Sequence, residues 1–142
     1  MTDRYLHAIW CDDIRQEIGN KPSFMGTYVS GITVPILPFF LPKLCAYVWA
    51  STCIEKPFQK IDVKVARDDG TVLAQMKIDN CKNMAEQLGD IGDAKTMLMM
   101  FGMNILGVEL PEDCKYISVT MENESEILEG PKLRITVAPP AG

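Results

Sequence analysis

Four charged residues of one short stretch, Asp12, Asp13, Arg15 and Glu17, form the densest set of groups in this chain that could do chemistry. A hard divalent cation needs several carboxylates converging on one point. In an extended strand Asp13, Arg15 and Glu17 project to one face and Asp12 to the other. The stretch therefore reads first as a polar strand end in which Arg15 pairs with one of the two aspartates. It reads next as a binding patch for a partner, and last as a metal or small-ligand site, enzymatic or not. His7 is the single histidine, and Cys11 lies four positions on. At roughly 3.3 Å per residue the two are ~13 Å apart on a strand, too far to ligate one zinc ion or to form a nucleophile pair without a bend. A buried or edge histidine is the expected role.

Other acidic groups have local explanations. Arg67-Asp68-Asp69-Gly70 fits a hairpin turn, and the spacing of a calcium-binding EF-hand loop is absent. Glu86, Asp90 and Asp93 fall in an irregular, solvated stretch. No phosphate-binding glycine loop, nucleophile elbow or HExxH zinc motif occurs. The sequence thus gives no positive reason to expect an enzyme, a cofactor or a metal.

Two apolar features stand out instead. One is Met97, Met99, Met100 and Met103 in a single stretch; the other is the proline-interrupted run Ile36, Leu37, Phe39, Phe40, Leu41. Each can line a core or present a contact surface, because methionine surfaces adapt to partners and large exposed apolar patches mark contacts. Met97 and Met99, with the Asp12–Glu17 cluster, are the candidate binding residues.

The elements that must carry these groups read as β-strands. Residues 60–78 alternate, break at Asp69-Gly70 and run apolar again, which predicts a hairpin. Residues 5–11 are apolar on both faces, as in a strand buried from both sides, and residues 14–18 continue them. Further strands are expected over 23–34, 44–52, 96–106, 115–122 and 132–137, with the three prolines of 35–42 making a crossover between sheets. Residues 80–95 are expected to form a short helix, centred on 83–88, or a loop. About eight strands without an internal repeat predict a single all-β domain, a two-layer antiparallel sandwich.

Two resemblances add to this. Glu109-Leu110-Pro111-Glu112-Asp113-Cys114-Lys115-Tyr116, followed by an alternating strand, resembles the penultimate strand of an immunoglobulin-like domain. The resemblance implies that Tyr116 takes the tyrosine-corner position, with Ser118 where the inter-sheet cysteine would stand. The opening, Trp10-Cys11-Asp12-Asp13-Ile14-Arg15-Gln16-Glu17 and then residues 20–28, resembles a family of small bacterial and phage-encoded proteins without an assigned activity. That resemblance, which extends to the Arg67-Asp68-Asp69 hairpin, implies a bacterial or phage source and a β-sandwich, and carries no catalytic residue.

Composition bounds the rest. A chain of 142 residues, 47% hydrophobic, can bury roughly 68–70% of its unfolded surface and needs no staples. Fourteen basic residues against nineteen acidic ones, with no basic run, argue against nucleic acid and anionic membranes as partners. Five cysteines, an odd number without a CxxC pair, point to a reducing compartment. No signal peptide is expected, and the cytoplasm is the expected location. The function expected is a non-catalytic protein-binding or adaptor module that engages a protein partner or itself. The alternatives are a structural component of a phage or secretion particle, and a ligand-binding protein built on the Asp12–Arg15 cluster.

Overall fold

The structure is a computed structural model that describes residues 4–81, 93 and 95–139. It is an all-β sandwich of two sheets. The four-stranded sheet has the order β2-β1-β4-β7, from β1 (Tyr5–Glu17), β2 (Lys21–Tyr28), β4 (Phe39–Cys53) and β7 (Thr96–Leu110). The second sheet has the order β3-β10-β8-β5-β6. It comprises β3 (Gly31–Val34), β5 (Ile61–Arg67), β6 (Val72–Ile78), β8 (Tyr116–Asn123) and β10 (Leu133–Val137), with β9 (Ile127–Glu129) added beside β8. All pairings are antiparallel except β3 with β10, which run parallel.

The core follows from alternation. Leu44, Ala46, Val48 and Ala50 of β4 have no exposure, and they face Val63 and Val65 of β5 and Ile117, Val119 and Met121 of β8 across the sandwich. The β5–β6 hairpin turns as expected. Gly70 adopts φ 90°, and Asp69 accepts the Thr71 backbone N–H (2.9 Å) and the Arg67 guanidinium (3.0 Å). These bonds, the backbone one foremost, hold the Asp69 carboxyl down at about 2.

Three expectations change. The strand expected over 23–34 is two strands in different sheets, because the chain crosses over after Tyr28. The crossover expected over 35–42 is correspondingly shorter, since β4 already begins at Phe39 and runs through Pro42. Tyr116 and Ser118 point away from the core while Ile117 and Val119 point in. A residue two before an inter-sheet cysteine must face inward, so the tyrosine-corner register does not hold. Instead the Lys132 ammonium sits over the Tyr116 ring, 4.4 Å from its centroid. The short helical run expected at 83–88 lies outside the described residues. Among the described residues no helix is long and apolar enough to cross a membrane.

Candidate binding face

The outward side of the four-stranded sheet is assembled from positions that alternate with the core. Register places Tyr5, Ser51 and Leu98 in one row, His7, Trp49 and Met100 in the next, then Ile9, Tyr47 and Gly102, and then Cys11, Cys45 and Asn104. Aligned residues of neighbouring strands share a face, so these rows form one surface. Tyr5, Leu98 and Met100 are each more than half exposed, at 56%, 53% and 58%. His7 stacks on Trp49 with 5.5 Å between ring centroids, and Tyr5 lies 6.1 Å from His7. His7 is therefore the edge histidine of the two expected roles: β2 pairs with β1 only from Trp10 onward, and the ring is solvent-exposed.

The centre of this face is covered by its own chain. After Cys11, β1 leaves β4 and continues with β2 as a hairpin. Ile14 reaches the Cα of Gly102, so that a side chain there would touch it at 3.5 Å, and the Phe24 ring packs on Tyr47 with centroids 5.0 Å apart. This flap explains why Cys11 and Cys45 have no exposure although they lie on the outward side. Each half-buried apolar contact contributes about 1 kcal/mol, roughly half of a full transfer. Beyond the flap the apolar surface resumes at Phe40 and Leu106, 57% and 76% exposed. Gly107, at φ 73°, lets β7 change the face it presents, so that Val108 and Leu110 turn inward.

The charged cluster is dispersed by the same hairpin. Asp12 accepts a hydrogen bond from the Tyr28 hydroxyl, whose pKa is raised, by burial first and by Asp12 second. Gly26, at φ 66°, leaves room for that carboxylate, since a Cβ there would stand 2.9 Å from Asp12 Cγ. Asp13 pairs with Lys43, not with Arg15, and the Lys43 hydrogen bond holds its carboxyl below the ordinary range. Arg15 and Glu17 are exposed farther along the flap. The carboxylates do not converge. Among the described residues no group of three or more His, Cys, Asp or Glu is placed to hold a metal.

The thiols are not poised as nucleophiles. Burial pushes Cys11 up to about 11 and raises Cys45, and Cys45 Sγ donates to Asn104 Oδ1 at 2.9 Å. Of the candidate methionines, Met99 is 6% exposed and belongs to the core, and Met97 is half-buried. The exposed side of β7 is carried by Leu98 and Met100 instead. The aromatic members Tyr5, His7, Tyr47 and Trp49 escape sequence reasoning because β1 and β4 are apolar on both faces; their odd-numbered spacing was the available signal. No family model and no curated protein sequence matches this chain.

Proposed function

We propose that the protein is a non-catalytic protein-binding module, an immunoglobulin-like β-sandwich of a bacterium or phage. It docks a partner protein on the outward face of its four-stranded sheet. The observation that carries this reading is the contiguous surface made by the exposed Tyr5, His7, Leu98 and Met100 around the half-buried Trp49. Aromatic residues and methionine dominate the centres of protein interfaces, and exposed apolar patches of several hundred Å² mark contacts. The surface carries no Lys, Arg, Asp or Glu among these five, which favours a protein over a nucleic acid or an ionic ligand. Among the described residues, strand β7, fifteen residues long, is the outermost strand of its sheet, and its edge offers backbone hydrogen bonds to the same partner.

The strand order supports the immunoglobulin-like topology. β10-β8-β5-β6 matches the G-F-C-C′ order and β1-β4-β7 the A-B-E order of that architecture. Five free cysteines support a reducing compartment such as the cytoplasm.

The test is affinity capture from host lysate with the wild type and with the double variant Leu98→Glu/Met100→Glu, alongside light scattering for mass. The expected result is one stoichiometric partner that the double variant loses by about a hundredfold or more, the scale of two interface anchors. The variant's thermal midpoint should stay within a few degrees of wild type. Capture that survives the substitutions, or a wild type that captures nothing, overturns the proposal. A dimer that the variant dissolves would replace the partner by a second copy.

A further inference from the structure

The opposite outward face, on the second sheet, holds a groove of about 700 Å³ between β3, β10 and the start of β8. Its walls include Ser30, Thr33, Lys115, Lys132, Arg134 and Thr136, and its lining contains no carboxylate. In a chain with fourteen basic and nineteen acidic residues, three cations line this one concavity, while the Asp68 carboxylate stands outside the lining, where it accepts the Lys115 backbone N–H at 3.0 Å. Among the described residues Arg4, Lys43, Lys64 and Arg67 are each in an ion pair, whereas Lys115, Lys132 and Arg134 are not. We infer that this groove is a binding site for a phosphate group, free or carried as a small phosphomonoester.

The fold builds the site from residues far apart in sequence. Parallel pairing of β3 with β10 sets Gly31 beside Arg134 and Thr33 beside Thr136, and β8 sets Tyr116 on the other side of Arg134. Gly31 permits this approach, since a Cβ there would stand 2.5 Å from the Arg134 carbonyl oxygen. The Thr33 and Thr136 hydroxyls lie 3.1 Å apart, and Thr136 also reaches the Ile32 carbonyl at 3.4 Å. With Thr136 donating to Ile32, Thr33 donates to Thr136, a solvent-facing bond that its hydroxyl can exchange for one to a ligand oxygen. Lys132 rests over the Tyr116 ring, a contact that orients its ammonium and leaves its N–H donors available.

One guanidinium, two ammoniums and neighbouring hydroxyls are the donor set that tetrahedral oxyanions take, with the guanidinium able to bind two oxygens at once. A volume of about 700 Å³ lies within the roughly 300–1,000 Å³ of small-ligand sites. Three cations are too few for the extended track that a nucleic-acid backbone requires.

The experiment is a ¹H–¹⁵N NMR titration of the full chain with inorganic phosphate and, separately, with O-phosphoserine, at ionic strength held constant with sodium chloride. Saturable shifts are expected at residues 30–33, 115–116 and 132–136. Lys132→Gln/Arg134→Gln should weaken binding about tenfold or more, as expected for losing charge-assisted hydrogen bonds. Lys64→Gln, on the same face outside the groove, should leave it unchanged. Saturation by phosphate alone assigns the free anion, and saturation by phosphoserine assigns an ester. Absence of saturable shifts with both, shifts reproduced by chloride, or equal affinity in the double variant overturns the inference. Because the groove lies on the other face, Leu98→Glu/Met100→Glu should not alter the titration, which separates failure of this site from failure of the docking face.

Discussion

On the four-stranded sheet the outward residues are Tyr5, His7, Tyr47, Trp49, Leu98 and Met100; on the second sheet they are Thr33, Asp62, Lys64, Thr120, Arg134 and Thr136. Both sheets obey the same alternation and bury equally apolar inward faces. The inward faces are dictated by packing, so their composition says only that the sandwich folds. Outside the part covered by the β1–β2 flap, the outward faces are under no such demand. One is aromatic and aliphatic where water would suffice; the other is hydroxylated and charged, as a solvated antiparallel sheet ordinarily is. The difference is what the two proposals rest on, a protein partner on the first face and a phosphate group on the second.

The comparison presumes that both faces belong to one cooperative body, and Arg4 offers the hardest test of that. Its buried guanidinium donates to Thr52 on β4 (3.0 Å) and to Asn123 on β8 (3.1 Å), pairs with Glu124 at 2.8 Å and lies over the Phe58 ring at 4.5 Å. It therefore clamps the two sheets together at one end. Arg4→Ala leaves Glu124 without its partner and should cost about 3–5 kcal/mol in urea unfolding. One transition at lower urea is expected; two transitions would break the presumption of a single unit. The pH dependence carries a sign. Burial alone would raise the Glu124 carboxyl, but Arg4 and backbone N–H groups outweigh it and lower the value. In the wild type that stabilisation is present above the ordinary carboxylate range and fades as pH falls through the lowered value. In the variant the backbone N–H groups remain but the Arg4 contribution is gone, so Glu124 is less lowered, and the gap between the two proteins should narrow as pH falls through the carboxylate range.

The flap sharpens the comparison next, because it decides how much of the apolar face is open. Phe24→Ala should cost about 1–2 kcal/mol, the loss of a half-buried aromatic contact. Its clearer signature is chemical. In the wild type Cys53, half-buried, should react with iodoacetamide well before Cys11 and Cys45, which are buried and held protonated. Removing the Phe24 ring should expose both thiols and bring their alkylation rates toward that of Cys53. Equal rates in the wild type would mean that the centre of the face is open in solution.

The sequence reveals one face better than the other, for a physical reason. β5, β8 and β10 alternate cleanly, as with Val63 and Val65 against Asp62 and Lys64, so their outward residues can be read directly. β1 and β4 are apolar on both sides, and periodicity cannot distinguish an outward Trp49 from an inward Val48. Met99 and Met100 likewise differ only by parity. The groove was illegible because Lys115, Lys132 and Arg134 meet the β3 hydroxyls only through a parallel pairing between residues about a hundred positions apart. The flap was hidden because nothing local to Asp12-Asp13 says that β1 leaves β4 there.

The smallest effect expected separates the two forces that hold the flap. Asp13 and Lys43 join it to β4 by an ion pair, but both side chains are more than a third exposed, and water and salt screen such pairs. Asp13→Asn should therefore leave the urea midpoint unresolvably changed and the protection of Cys11 and Cys45 intact, in contrast to Phe24→Ala. The pair remains visible in titration. The Lys43 hydrogen bond lowers the Asp13 carboxyl, so Lys43→Met should return it toward the ordinary carboxylate value in a carboxyl NMR titration. Since the depressed group contributes only above that range and is screened, any acid sensitivity from it should disappear at high salt. If Asp13→Asn exposed the two thiols, charge and not apolar packing would be holding the flap. The covered centre of the face would then open and close with ionic strength.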